Sequence, residues 1–413
     1  MINSTLTSEL YHFPVMLNEV IKICSPDKGG VYVDCTFGGG SYSKNLLNYS
    51  NTKVIALDRD NFIINISKEL KKKYPKRFFF HQTKFSEIKK IVGNQLVDVV
   101  LFDLGLSSIQ LNNLERGFSF NSKENLDMNM GLSYTSAEEV INSYSEQQLK
   151  SIIKILGEEK EAPIIAKNII KRRLIKKITK VNELVEVIEK SKKKNYQSKI
   201  NPSTKTFQAL RIFVNKEITE LVEGIINATR VLKPGGRILI ISFHSIEDKI
   251  VKYFFTNFSS SRSKPSRYFP ENKNTDIILF DKYKNKIFRP SNLEIIKNPP
   301  SRSAKLRYAT RSKNKFIYPN ELRDKFKNIS ARANVTPVLT SATRSSNPAL
   351  YNSQAIDILH HRTITSLRML HHKIDSILPS QSPPKKLSKD QVKQIMAKDF
   401  EKQQGDFWTT TMP

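Results

Sequence analysis

Two kinds of apolar pattern alternate along the chain. Short unbroken runs at Val31–Val33, Val54–Leu57 and Val97–Phe102 have strand length and no polar interruption. Parallel strands covered on both faces read that way. Between them, apolar residues recur three or four apart. Leu17, Val20, Ile21 and Cys24 form one helical stripe before the first strand, and 61–73 forms another after the second. Strands are therefore expected at about 31–35, 53–57, 77–81, 96–103 and 237–244, with the last near Ile277–Phe280 and Lys305–Tyr308. From about Thr135 to Lys205 the period becomes helical throughout and the βα alternation stops. Thr135-x-x-Glu138 and Ser145-x-x-Gln148 have the spacing of capping boxes. Segments 158–177 and 179–194 set apolar stripes beside dense lysines and arginines. A long helix then runs from Thr206 to Leu232, and Lys233-Pro-Gly-Gly236 stops it.

This pattern predicts an α/β fold with a helical insertion. The α/β domain takes 1–133 plus 206–318, and the insertion takes 134–205. A tail, 319–413, begins where the composition turns Ser/Thr/Pro-rich. It holds a linker at about 330–348 and amphipathic stretches at 353–378 and 388–404. The first of these carries an apolar stripe that must be buried against the core, a second copy of the chain (a homodimer) or a separate partner. A chain ending at Tyr318 is expected to keep the fold and the activity.

Composition narrows the class. At 38% hydrophobic and a mean hydropathy of −0.43, with apolar runs only of strand length, nothing reads as a membrane span. No secretory or transit pattern stands at the N-terminus. Cys24 and Cys35 imply no disulfide framework and read as small buried hydrophobes, so the expected setting is the reducing cytoplasm. A formal net charge of +29 calls for a polyanionic partner, and nucleic acid is the first candidate. Heavy use of Lys, Ile and Asn explains part of the lysine but not the shortage of acids. His360-His361 and His371-His372 lie roughly 16 Å apart on a helix, too far to share an ion, and no metal is expected.

Val31-Tyr-Val-Asp-Cys-Thr-Phe-Gly-Gly-Gly-Ser-Tyr-Ser43 carries the candidate chemistry. Strand, glycine loop and helix let backbone approach a ligand at the carboxyl end of an open sheet. The second strand ends in Asp58, placed to accept hydrogen bonds from ribose hydroxyls. The glycines do not fit G-x-G-x-x-G, which disfavours a dinucleotide. An adenosine ligand without a pyrophosphate fits better, S-adenosylmethionine for example. The alternative is a tight turn beside a solvated acid. Asp103-Leu-Gly-Leu-Ser-Ser-Ile-Gln110 places a further acid, hydroxyls and an amide at the end of the fourth strand, facing the same cleft.

Together with these stretches, Glu115-Arg-Gly-Phe-Ser-Phe120, Leu126-Asp-Met128, Thr206-Phe-Gln-Ala-Leu-Arg-Ile212, Ile241-Ser-Phe-His-Ser-Ile-Glu-Asp248 and Ser301-Arg-Ser-Ala-Lys-Leu-Arg307 form an ordered series. From His12 to about Tyr308 the chain resembles the bacterial family that methylates N4 of a cytosine in small-subunit ribosomal RNA. The resemblance implies a Rossmann-like class I methyltransferase sheet with an inserted helical domain that helps recognise RNA. It also implies S-adenosylmethionine as methyl donor and cytosine 1402, in the decoding region of 16S rRNA on the small ribosomal subunit, as target. Donor-site residues carried over are Gly38, Gly40, Ser41, Tyr42, Asp58, Phe85, Asp103 and Gln110.

An exocyclic amine is a poor nucleophile, so acceptors must orient it and something must take a proton. Asp103, Ser107 and Ser108 are the candidates to position it, and His244 the candidate for base contact or proton relay. Phe118, Phe120 or Phe243 would stack on a splayed base. Asn298-Pro-Pro-Ser301 resembles the Asn-Pro-Pro-aromatic motif of amino methyltransferases, but it lies far downstream without the aromatic and is set aside. Arg172, Arg173, Lys176, Lys205, Arg211, Arg302, Lys305 and Arg307 are the candidate RNA contacts. The sequence departs from the family at Ser41, where glycine is usual, and at Lys205, where arginine is usual. It also reads Asp127-Met-Asn-Met-Gly131, which loses a cation and an acid. A ribosome-binding assembly factor with the same fold and impaired turnover is the alternative function. A methyltransferase for DNA or protein fits the basic insertion less well.

Overall fold

The computed structural model describes residues 14–133, 135–192, 201–260, 277–281 and 283–333. The strands are β1 (Gly30–Asp34), β2 (Thr52–Asp58), β3 (Phe78–Gln82), β4 (Val97–Asp103), β5 (Leu232–Ser242) and β6 (Lys305–Thr310). They form one sheet in the order β3-β2-β1-β4-β5-β6. All neighbours are parallel except the last pair, in which β6 runs antiparallel to β5. The unbroken apolar runs are explained by this layout. Side chains alternate along a strand, and both sheet faces are covered. Val33, Ile55, Val100, Phe102 and Ile240 enter one buried cluster, while Tyr32, Val54, Ala56, Leu101 and Ile241 enter the other.

Helices α1 (Leu17–Cys24), α2 (Ser41–Leu47) and α3 (Ile64–Lys73) supply the second cluster. The first cluster is larger. Besides α4 (Ile88–Val92), it takes residues from α6 (Ala137–Ser143), α7 (Glu146–Leu156), α8 (Ala162–Ile175) and α9 (Val181–Ser191). It continues through α10 (Thr204–Val214), α11 (Glu217–Val231) and α12 (Ser245–Asn257). Short α5 (Ser108–Asn112) follows β4, and α13 (Asn292–Lys297) precedes β6. The helical segment between β4 and β5 thus shares its core with one face of the sheet. No helix among the described residues is long and apolar enough to cross a membrane.

Several expectations are corrected. Ile277–Phe280 is not a strand. Phe280 makes only isolated bridges to Ser259 and Arg311, and the segment instead buries Leu279 and Phe280. Phe280 packs edge-on against Phe254 and Phe255. Thr135 is not a cap. Ser136 is, its hydroxyl accepting from the Glu139 amide at 3.1 Å. The Ser145/Gln148 box forms as read.

The long helix from Thr206 is two helices. Lys216 adopts φ 52 between α10 and α11, and the Asn215 side chain at the break serves another part of the chain. Its amide donates to the Met128 carbonyl at 2.8 Å, and its oxygen accepts from the Met130 amide at 2.9 Å.

The chain does not leave the core at Tyr318. Helix α14 (Asn320–Ala333) packs on α7 and α11, burying Leu322 and Phe326. A compact unit runs to Val338. The other tail readings, including the amphipathic stretches, the histidine pairs and most of the linker, lie outside the described residues.

Candidate active site

Strand order reverses between β1 and β4, so the crevice at the carboxyl ends of these strands is where a ligand fits. A cleft opens there. Among its lining residues are Gly38, Asp58, Phe85, Asp103, Ser107, Ser108 and Gln110. The carboxyl ends of β1, β2, β3 and β4 all contribute to it, and the register explains why. Asp34 stands beside Ala56 and Leu101, and Asp103 beside Ile241.

The glycine loop is held from below. Asp34, fully buried, accepts from the Ser43 hydroxyl at 2.7 Å and from the Thr36 amide at 3.3 Å. Burial pushes its carboxyl up to about 6 against those two bonds. Gly40 sits at φ 74, and a Cβ there would lie 2.8 Å from the Phe37 ring. Asp58 reaches across from β2, accepting from the Gly38 amide at 2.8 Å and the Asp60 amide at 2.9 Å. Burial raises this carboxyl as well, to about 6. The Arg59 amide is a third donor to it, and since a carboxylate has roughly four lone-pair directions, acceptor capacity remains for a hydroxyl donor.

Asp103 is the most perturbed acid of the cleft. Burial pushes it up to about 8, helped by the charges of Asp34 and Glu247 and opposed by the Tyr42 hydroxyl. Its Oδ1 is buried without a hydrogen-bond partner. An orphaned polar atom of this kind costs about 1–3 kcal/mol, which a ligand's donor would recover. Glu220 Oε2, on another wall of the cleft, is likewise buried without a partner.

Other expectations fare differently. Gly40, Ser41 and Tyr42 do not line the cleft. Tyr42 is buried, its hydroxyl donating to the Val15 carbonyl at 2.6 Å. Ser107 and Gln110 form the capping box of α5, and the Gln110 amide donates to Asp60 at 2.7 Å. Asp60 also pairs with Arg116 at 2.6 Å. His244 is not part of the wall either. It caps α12 and lies 3.0 Å from Glu247, which is in the wall. Burial raises the Glu247 carboxyl, but His244 and Arg211 outweigh it and hold it low. Phe118 is core, and Phe120 packs edge-on against Phe207. Of the three candidate stacking rings only Phe243 reaches the cleft.

Two groups escaped the sequence reading. The first is Glu217, brought to the cleft by the helix break. Its two oxygens pair with Arg211 at 2.9 Å each. Glu217, His244 and Glu247 place ligand-type atoms within 4.8 Å of one another, but the guanidinium already occupies Glu217, so the trio reads as an ion-pair network. The second is Asn298-Pro-Pro-Ser301, set aside for its distance in sequence. Asn298, Pro300 and Ser301 line the same cleft as Asp103. The available signal was the dipeptide Asn298-Pro299 itself.

The candidate RNA contacts also divide. Arg211 is spent on Glu217. Arg307 is 2% exposed and bound to Asp248 at 2.7 Å. Neither presents a free surface to a phosphate, because each is paired with a half-buried acid. Lys305 also pairs with Asp248, at 3.0 Å, and Arg173 donates to the Ile141 carbonyl at 2.7 Å. Arg172 and Lys176 both face Glu183, with Lys176 the more exposed. Lys205 and Arg302 are exposed.

The departures near Gly131 have a local explanation. Asn129 Oδ1 accepts from the Gly131 amide at 2.7 Å, closing a turn. At φ 87, a Cβ on Gly131 would meet the Arg59 carbonyl at 2.5 Å.

Known proteins bear on this arrangement. The model of the MraW methylase family matches residues 9–312. A ribosomal RNA small subunit methyltransferase H from Ehrlichia canis (strain Jake) is 44% identical over 300 residues, covering 72% of this chain and 98% of its own. Its counterpart from Rickettsia canadensis (strain McKiel) is 41% identical over 299 residues, covering 72% and 97%. Among solved structures, an rRNA methylase from Streptococcus thermophilus is similar at a TM-score of 0.33 and 10% identity, over 71% of this chain and 96% of that one.

Proposed function

The chain belongs to the MraW methylase family, and from that membership we propose that it methylates the exocyclic N4 of a cytosine, cytosine 1402 in the decoding region of 16S rRNA. The donor is S-adenosylmethionine and the setting the cytoplasm. The observation that carries this reading is the buried Asp103 carboxyl, one oxygen of which has no partner, in one cleft with Asp58 and Phe85.

The residues present fit the donor. Asp58 would hold the ribose hydroxyls, Phe85 would lie against the adenine, and the Gly38 turn leaves room for the backbone to approach. Asp103 would face the donor's cationic portion. When bound, the donor supplies an electrophilic methyl group on a sulfonium.

The chain's own groups supply orientation and proton handling. An ionised Asp103 accepts from an N4–H, turning the amine's remaining electron density away from the ring and toward the cleft. Its high affinity for a proton suits it to take the one that N4 must lose. Ser108 lines the wall beside it. Ser107 is committed as a cap, so its contribution is to fix the loop. His244 acts through Glu247 and is a positioning residue. The exposed lysines of the helical insertion supply the surface that meets RNA phosphates.

The test is incubation of undermodified small subunits with labelled donor, followed by mapping of the modified nucleotide. N4-methylcytidine at one decoding-region position is the expected product. Donor binding with no transfer would indicate the assembly-factor alternative.

A further inference from the structure

The segment between α13 and β6 lies almost three hundred residues from the N-terminus, yet the antiparallel edge strand returns it to the active site. Because β6 runs opposite to β5, its first residue pairs with β5's last, Lys305 with Ser242. The turn that leads into β6 therefore arrives at the carboxyl end of the parallel strands, beside Phe243. Asn298, Pro300 and Ser301 line the cleft there together with Phe243 and Asp103.

This turn is held by its own hydrogen bonds and by the helix before it. Pro299–Ser303 form a 3-10 turn in which the Ser301 amide donates to the Asn298 carbonyl at 2.9 Å. The Ala304 amide in turn donates to the Ser301 carbonyl at 2.8 Å. The preceding helix is pinned by Glu294, which accepts from the Met16 amide at 2.7 Å. Within the turn, the Ser301 side chain is fully buried, and its hydroxyl has no hydrogen-bond partner. An alanine would avoid the penalty of an unpaired buried hydroxyl. The group makes sense where a ligand completes it.

We propose that the Ser301 hydroxyl binds the target base, contacting the polar edge of the cytosine whose amine Asp103 orients, with Phe243 beside it as the apolar face. This inference rests on the methyltransferase reading above. Spacing argues for the base over the donor. Neighbouring strands lie about 4.8 Å apart. From Asp58 on β2 across β1 to Asp103 on β4 is two such steps, about 10 Å, which donor ribose and sulfonium would span. From β4 across β5 to the entry of β6 is another two steps, beyond the donor's reactive end, and Asp103 and Ser301 line one cleft from those two sides, which leaves the space between them to the base. The hydroxyl can donate or accept, so it can meet N3 of a cytosine while a carboxylate meets the N4 amine. The ionised Asp103, an acceptor only, then distinguishes an amine from the carbonyl of a uracil.

Ser301→Ala is the test, compared with the unaltered full chain in single-turnover assays on undermodified small subunits. Donor affinity by calorimetry and thermal unfolding are measured alongside. Expected are a roughly tenfold fall in kcat/KM, the scale of one lost hydrogen bond, donor affinity within about twofold, and an unfolding temperature equal or higher. A parallel loss of donor affinity would place Ser301 in the donor site and overturn the assignment. Unchanged kcat/KM would make the hydroxyl a packing group, which also overturns it. If the unaltered chain yields no N4-methylcytidine, the functional reading fails and takes this inference with it. If it does and the variant matches it, only the inference fails.

Discussion

Single residues set the electrostatics of the cleft. Asp58 pins Gly38 and Asp60 and still has acceptor capacity. Asp58→Ala is expected to weaken donor binding by about 1–3 kcal/mol, the cost of lost charged hydrogen bonds, and unchanged affinity by calorimetry would reject the ribose assignment. Asp103 gives a signature in pH. Its carboxyl stands at about 8 in the free protein. A cationic donor favours the ionised form, so binding at neutral pH must release a proton. Affinity should climb as pH rises toward about 8 and level off above it. Calorimetry in buffers of different ionisation enthalpy reads the released proton, and Asp103→Asn should abolish it. These two acids were legible in the sequence because each ends an apolar run, and that is local information. Arg211 and Arg307 looked like phosphate ligands because a sequence does not show which acid a cation meets across the fold. Glu217 and Glu247 supply the answer for the first, and Asp248 for the second.

Elements were read well where one helix or strand carries its own pattern, and poorly where a partner decides. The glycine loop, α3 and the apolar strands announce themselves. The break at Lys216 does not, since the α10–α11 stretch is apolar-periodic throughout and the reason for the break, Asn215, is a bond to the distant 128–130 turn. Ile277–Phe280 looked like a strand because a β-rich tetrapeptide and a buried loop have the same composition. Helix α14 is where composition and packing disagree most. The composition change near Tyr318 suggested an end, yet Leu322 and Phe326 are buried, and Tyr318 donates to Glu223 at 2.9 Å. Each such side chain contributes about 1.5–3 kcal/mol on burial. A chain cut after residue 318 should therefore unfold at a clearly lower temperature than one cut after residue 338. The longer form should match the full chain in donor binding. Equal unfolding temperatures for the two would show that α14 adds nothing to the core.

At the scale of the whole molecule, the positive charge gathers meaning from what remains exposed. Around the end of α8, Lys171, Lys176 and Lys177 are exposed beside Leu174 and Ile175, which are 80% and 85% exposed. Changing the three lysines to alanine should reduce the salt dependence of RNA binding by about 2–3 in the log–log slope, one unit or slightly less for each phosphate no longer neutralised. A slope identical to that of the parent would make this face merely solvated. Two bonds between distant parts of the chain also bear on how the protein comes into being. The Met16 amide meets a carboxylate 278 positions later, and Arg59, next to Asp58, donates to a carbonyl 156 positions later. Synthesis runs from one end, so the Asp58 side of the cleft waits for residue 215 to emerge. The wall that would read the base waits for residue 301. A nascent chain that stops short of residue 298 has every glycine and acid of the recognisable motifs and still lacks one wall of the site. The edge strand closes it, and so the cleft of the methylase is enclosed only once β6, made after every other strand of the sheet, has emerged.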